Sequence, residues 1–325
     1  MAAMERFPPL LVTGAAGTLG TALKQICAKY GFECHSFSRS RLDITDSAAT
    51  ESVLTEFACA LTSNRANSDS REFPDRVEEQ AGLAPARGLV INCAAYTDVD
   101  RAEEEEELAF AVNARGAANV ATAAARHGLD LIHVSTDYVF DGVKQAPYAE
   151  SDEPHPLNAY GRTKLAGEQA VAAAHPKALI VRTSWLYGPG GTNFPDKIIT
   201  LARRATQDTD PTRLEVVGDQ YGSPTAAVDL AWGLLQLYSR GARGLFHLAG
   251  SGSCSRYELA KEVLAAAGLE VPIVPVSAAA LPTRSARPPY SVLDCSKAAG
   301  LGVELPPWRE SVRAYVREHL AEAAT

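Results

Sequence analysis

Long apolar runs without alternation constrain this chain most. "PLLVTG", "GLVINCAA", "DLIHVST" and "ALIVRTSWLYG" are apolar almost residue after residue. A strand with one face in water alternates apolar and polar side chains. These segments do not, so each must be covered on both faces, as in a parallel sheet held between two helix layers. The intervening segments have helical period: "TLGTALKQICAKYG" closes on a glycine, and "DITDSAATESVLTEF" opens on Ser/Thr/Asp caps. "FECHSFS" reads as a second strand, and "EEEEELAFAVNARGAANVATAAARHG" as one long helix ending at Gly128. Strand, helix and strand in this order predict a doubly wound α/β sheet.

Two regions depart from that rhythm. Residues 59–87, from Cys59 to Arg87, are polar and read as an irregular surface insertion. After about residue 190, short strands such as "LEVVGDQYGSPT" and "GLFHLAGSGSCS" mix with proline-rich connections and with the helical "TAAVDLAWGLLQLY", "SRYELAKEVLAAAG" and "WRESVRAYVREHLAEA". The expected organisation is a nucleotide-binding lobe over 8–190, and a smaller substrate-binding lobe over 191–325, interleaved with the first. A net charge of −8 argues against nucleic acid or an anionic membrane as a general partner. No apolar run approaches the ~20 residues of a spanning helix, and the N-terminus lacks the pattern of a secretory leader. The six cysteines are scattered, as expected of reduced thiols in a cytoplasmic protein. The seven histidines show no metal-ligand spacing, so no metal site is expected.

"VTGAAGTLG" places Gly14, Gly17 and Gly20 between the first strand and the first helix. Gly14 permits the tight turn, Gly17 lets a pyrophosphate approach the backbone, and Gly20 lets helix and sheet pack closely. Thr18 and Leu19 then open the helix, whose free N–H groups favour phosphate. These features make the sheet Rossmann-type and the ligand a nicotinamide dinucleotide. After the second strand, "SFSRSRLDI" carries Arg39 and Arg41, with no acid before Asp43 and Ile44. Arginine forks suit a 2′-phosphate. The reading therefore favours NADPH, with NADH, and a plain solvated turn, kept open.

Reducing a carbonyl with a nicotinamide requires a proton donor beside the carbonyl oxygen. "NAYGRTK" sets Tyr160 and Lys164 one helical turn apart, so the ammonium stabilises the phenolate and can hold the nicotinamide ribose. "RYELAK" repeats the spacing at Tyr257 and Lys261. Context separates the two. Tyr160 follows "HVSTDYVFDG", a buried strand end that supplies Ser135 and Thr136, where ligands of open parallel sheets bind. Tyr257 opens a late helix behind the expected cap Ser255. The assignment is Tyr160 as donor, Lys164 as its partner, and a Ser/Thr hydroxyl as the group polarising the carbonyl.

"NCAAYTDVDRAE", "STDYVFDG", "PYAESDEPHPLNAYGRTKLAGE", "RTSWLYGPGGTNF", "DQYGSPTAAVDLA" and "RPPYSVLD" occur in this order. Together they resemble the dTDP-4-dehydrorhamnose reductase family of extended short-chain dehydrogenases/reductases, from about Leu10 to Leu320 apart from 59–87. The resemblance implies NADPH-dependent reduction of the C4 keto group of dTDP-6-deoxy-L-lyxo-4-hexulose to dTDP-L-rhamnose. It implies Tyr160 as proton donor, Lys164 as its partner and Thr136 as the hydroxyl orienting the carbonyl. Ala94, Ala95 and Tyr96 match the cofactor-lining strand end, and Thr97, Val99, Tyr138 and Trp185 match positions around the sugar. Tyr138 and Trp185 follow buried strands and fit either a sugar platform or packing beneath the second lobe.

The chain departs from the family at 59–87 and at Tyr290, where members usually carry asparagine. Glu103–Glu107 falls near a glutamate-rich segment that some members use in a magnesium-bridged homodimer. Here it reads as a solvated acidic helix start. The rival functions are a non-catalytic NADP-binding regulator, similar to the methionine adenosyltransferase β subunit, and a reductase, epimerase or dehydratase of another nucleotide-sugar. Dehydratases typically carry Asp-Glu after the polarising hydroxyl, whereas Asp137 and Tyr138 follow Thr136 here.

Overall fold

A computed structural model describes residues 7–68, 88–206, 213–281 and 283–320. The first half runs β1 (Leu10–Thr13), α1 (Thr18–Tyr30), β2 (Cys34–Phe37), α2 (Ser47–Ser68), β3 (Leu89–Asn92), α3 (Val99–Ala102) and α4 (Glu106–Phe110). A π-helical turn (Ala111–Gly116) leads into α5 (Ala117–Arg126), then β4 (Asp130–Thr136), α6 (Ala159–Ala174) and β5 (Leu179–Thr183). The second half runs β6 (Leu186–Tyr187), α7 (Phe194–Ala205), β7 (Leu214–Val217), β8 (Tyr221–Gly222), β9 (Thr225–Ala226), α8 (Ala227–Ser239) and β10 (Gly244–His247). It closes with β11 (Cys254–Ser255), α9 (Arg256–Ala267), β12 (Ile273–Val276), α10 (Ser296–Ala299) and α11 (Trp308–Tyr315).

Six strands form one parallel sheet in the order β10-β5-β4-β3-β1-β2. Every residue of β1, β3 and β5 is buried, as their unbroken apolar character requires. One face packs α1 and α8 through Leu10, Val12, Ile91, Leu23, Leu230 and Leu234. The other packs α2, α5 and α6 through Leu11, Val90, Leu131, Leu54, Val120 and Val171. The chain reverses its direction of travel between β1 and β3, and this switch point opens a crevice at the strands' C-terminal ends. A third core cluster joins α7, α9 and α11 through Ile198, Leu259, Val263, Trp308 and Val312. The last strand of the large sheet, β10, comes from the C-terminal half and pairs with β5.

Three local expectations are corrected. The irregular insertion does not begin at Cys59, because α2 continues to Ser68. Residues 59–68 contain neither glycine nor proline to end a helix, and the Thr62 and Ser63 hydroxyls fold back to the Cys59 carbonyl at 2.8 and 3.0 Å. The rest of the expected insertion, 69–87, lies outside the described residues. The long helix expected over 103–128 is broken by the π turn at 111–116. Finally, the acidic run is not merely solvated. Glu103 accepts from the Ala159 N–H at 2.8 Å, Glu104 pairs with Arg284, and Glu105 with Arg101 at 2.5 Å. Glu106 pairs with Arg162 at 2.9 Å and Glu107 with Arg115 at 2.7 Å. Among the described residues, no helix is long and apolar enough to cross a membrane.

Candidate active site

A cavity of about 1000 Å³ opens at the switch point. Apart from Arg41, every residue assigned above to cofactor, substrate or chemistry lines it, from Gly14 to Trp185. The glycine loop forms its floor. Gly14 has φ +64°, and a Cβ there would come within 2.6 Å of the Ala94 nitrogen, so only glycine lets the loop lie against the end of β3. A Cβ at Gly20 would meet Ala15 and the Gly14 carbonyl at 2.6 Å, which fixes how closely α1 approaches the loop. Gly17 caps α1 with extended backbone and no side chain bonded over the helix end. The orphan N–H groups of the first turn thus remain available to an anion. These features fit a dinucleotide.

Beyond β2, Arg39 is largely exposed and leans on Asp43 at 3.7 Å. The Thr45 hydroxyl and N–H hold the Asp43 carboxyl below the usual carboxylate range. Arg41 instead stacks over the Phe37 ring at 5.2 Å and is not part of the cavity wall. Past β3 come Ala94, whose N–H donates to the Asn92 side chain at 3.3 Å, then Ala95, and Tyr96, which Asn113 fixes. The Asn113 Oδ1 accepts from the Tyr96 N–H at 2.8 Å, while its amide donates to the Tyr96 carbonyl at 3.1 Å and to Thr163 at 3.0 Å. Asn113 sits in the π turn, which is what brings this buried amide to the strand end. Sequence reasoning missed it. The only signal was one amide inside the apolar "FAVNARG".

Thr136 ends β4, and α6 brings Tyr160 and Lys164 beside it. Asn158 caps α6 by accepting from the Gly161 N–H at 2.8 Å. Lys164 is 2 % exposed, and its Nζ donates to the Val134 carbonyl at 2.6 Å. Burial pulls its ammonium down to about 8, opposed by the Glu168 and Cys93 side chains. Glu168 in turn is held by Arg182 on β5 in a buried two-pronged pair at 2.9 and 2.7 Å. Burial pushes the Tyr160 hydroxyl above the ordinary phenol range, with the Thr136 hydroxyl acting against it. Thr136 donates to Asp137 at 3.0 Å, and burial raises the Asp137 carboxyl to about 6.

The opposite wall is aromatic and cationic. Tyr138 meets the Tyr160 ring edge-on at 5.7 Å. Trp185 has φ +46°, the only non-glycine residue in left-handed backbone among those described, and the Arg256 guanidinium lies 3.5 Å over its ring. Such conformations persist where the surroundings over-determine them. Arg287 pairs with Asp100 at 2.8 Å. Thr97 and Val99 complete this side, whereas Tyr290 does not line the cavity. Sequence reasoning also missed Arg256, Arg287 and Asp137. The first two come from segments remote from the sheet, and nothing in "STDYVFDG" marks Asp137 as buried.

The family described as RmlD substrate binding domain matches residues 9–321. A dTDP-4-dehydrorhamnose reductase of Mycobacterium tuberculosis is 41% identical over 310 residues, covering 93% of this chain and 90% of the relative. The chain belongs to the dTDP-4-dehydrorhamnose reductase family. A reductase of this name from Bacillus anthracis, solved in complex with NADP, superposes with a TM-score of 0.82 at 35% identity, covering 96% of this chain and all of that one. A dTDP-4-keto-6-deoxy-D-glucose reductase of Streptomyces niveus is 38% identical over 296 residues, covering 90% of this chain and 91% of the relative. Family membership thus spans both the glycine loop and the Tyr257 helix, and the choice between the two tyrosines rests on the geometry above.

Proposed function

We propose that this protein is an NADPH-dependent dTDP-4-dehydrorhamnose reductase. The observation that carries the reading is the convergence of Tyr160, Lys164 and Thr136 on one wall of a cavity whose floor is the glycine loop. NADPH supplies the hydride when bound. The remaining work falls to this chain's side chains. The α1 N-terminus and Gly17 take the pyrophosphate, Arg39 faces the 2′-phosphate, and Ala94, Ala95 and Tyr96 line the path towards the nicotinamide. Tyr160 donates its proton to the C4 oxygen, Thr136 orients that oxygen, and the Lys164 charge favours the phenolate left behind. Thr97, Val99, Tyr138 and Trp185 surround the sugar. In this division residues 8–190 carry mainly the cofactor, and 191–325 contribute Arg256 and Arg287 to the substrate wall.

The test is NADPH consumption with enzymatically generated dTDP-6-deoxy-L-lyxo-4-hexulose and a no-sugar control. Turnover with this sugar supports the reading. Turnover only with the isomeric dTDP-4-keto-6-deoxy-D-glucose would reassign the substrate, as the Streptomyces niveus relative makes concrete. Tight NADPH binding without turnover on either sugar would point to a regulatory subunit. Arg39→Ala should weaken NADPH about tenfold relative to NADH, the loss of one charge-assisted phosphate contact. An unchanged ratio would leave Arg39 a surface residue.

A further inference from the structure

Asp137 is a fully buried carboxyl in the cavity wall for which the proposed reaction has no use. It is 2 % exposed, and its two oxygens accept from different parts of the fold: Oδ1 from the Thr136 hydroxyl at 3.0 Å, Oδ2 from the Ser291 hydroxyl at 2.5 Å. The groups facing it are Thr136 at the end of β4, Tyr138 just beyond it, Tyr160 on α6, Ser291 from the segment before α10, and Arg256 at the start of α9. Arg256 favours the carboxylate and burial opposes it.

The Thr136 hydroxyl cannot donate to Asp137 and to a ketone at once. A hydroxyl has one hydrogen to give and two lone pairs to receive with. An ionised Asp137 only accepts, so it takes the single Thr136 hydrogen. The Thr136 oxygen then accepts from the Tyr138 N–H at 3.2 Å and keeps one lone pair open in the cavity that the Tyr160 side chain also lines. In that arrangement Thr136 has no hydrogen for a ketone, and the Tyr160 hydrogen has a competing acceptor. A protonated Asp137 reverses both. Its O–H fills the second Thr136 lone pair, the Thr136 hydrogen is released, and Tyr160 loses its alternative acceptor.

We propose that Asp137 takes up one proton from solvent when the ketone binds, and by donating to Thr136 turns both the Thr136 and Tyr160 hydrogens onto the substrate oxygen. This rests on the reading that these two hydroxyls face the ketone. Asp137 is a positioning residue in this scheme. Its proton is not consumed, and it returns to solvent when the alcohol leaves. Nothing is oxidised or reduced beyond the ketone and NADPH. Because burial brings the carboxyl to about 6, uptake is easy in mildly acidic solution and becomes harder as pH rises.

The experiment uses the full chain with NADP⁺ and the ketosugar, a pairing that cannot turn over. Binding heats measured in two buffers of different ionisation enthalpy report the protons taken up. About one proton per ketosugar is expected near neutral pH, and affinity should fall roughly tenfold per pH unit above the Asp137 pKa. In Asp137→Asn the amide N–H donates to Thr136 at every pH, so uptake should vanish and affinity should become flat from about pH 6 to 8. Ser291→Ala removes a donor that favours the carboxylate, so the wild-type decline should begin at higher pH. No proton uptake in the wild type, or a pH dependence unchanged in Asp137→Asn, would overturn the proposal. Thr136→Val separates this from the underlying reading: if it binds the ketosugar as tightly as the wild type, Thr136 does not face the ketone and the site assignment itself fails.

Discussion

Helices α6 and α9 begin alike. Each has a polar cap, Asn158 or Ser255, then a tyrosine at its second position and a lysine one turn on. Only α6 turns that pair into the cavity. It lies along the end of β4, so Tyr160 lies beside Thr136 and Lys164 is buried against the Val134 carbonyl. Helix α9 packs on α7 and α11. There Tyr257 lies against the third core cluster, while Lys261 is exposed, with its ammonium 5.7 Å from the Tyr257 ring centroid. The spacing aligns two side chains on a helix face, but the neighbour of that face decides whether the lysine sheds its water. An ammonium left in water has little leverage on a phenol, because its field is screened.

The largest effect should come from the tyrosines. Tyr160→Phe should lower kcat by about 10²–10⁴-fold with NADPH affinity preserved, the usual contribution of a positioned acid. Tyr257→Phe should stay close to the wild-type rate. Equal losses in steady-state assays would break the contrast.

The carboxylates that follow the two lysines sharpen it. Glu168→Gln strands the Arg182 guanidinium in the core and should cost about 3–5 kcal/mol in denaturant unfolding. Glu262, on α9, is bonded to Arg313 at 2.6 Å, but that arginine is 57% exposed. Glu262→Gln should therefore cost no more than about 1 kcal/mol. A Glu168→Gln protein as stable as the wild type would mean the buried pair is not what anchors α6 to β5.

The smallest effect is a pH trend. Burial lowers the Lys164 pKa from its ordinary 10.5 to about 8, so the unfolded chain holds this proton more tightly than the folded one. The resulting penalty is complete below about pH 8 and fades as pH rises towards 10.5. Lys164 should thus contribute stability that grows with pH across that window. In the proposed reaction Lys164 acts through its charge, so turnover should fall above about pH 8. Thermal melts and initial rates of Lys164→Met against wild type would isolate both trends, and Lys261→Met should leave them unchanged.

What could be read from sequence follows from how local each signal is. The buried strands and the glycine loop are written in contiguous residues, because both depend on the nearest backbone. Tyr160 was separable from Tyr257 because a strand end precedes it within the same stretch of chain. The π turn was hidden, since one extra residue inside an apolar helical period leaves the pattern nearly intact. The run of α2 through Ser68 is hidden for a different reason: polarity resembles irregularity, although polar residues without glycine or proline extend a helix readily. Arg256 and Arg287 reach the cavity, and Ser291 reaches Asp137, only through the packing of distant segments, which no short window contains.

The return of β10 to the large sheet has a consequence for synthesis. As the chain leaves the ribosome, β5 is delivered well before β10, and until β10 arrives β5 is a bare edge with unpaired N–H and C=O groups. Helix α8, which covers one face of the same sheet, arrives only just ahead of β10. The half that carries the glycine loop cannot complete its sheet during translation and must wait for the half that follows. A chain stalled after β5 would present an apolar strand to its neighbours, which makes this interval the stage at which a growing chain depends most on chaperones.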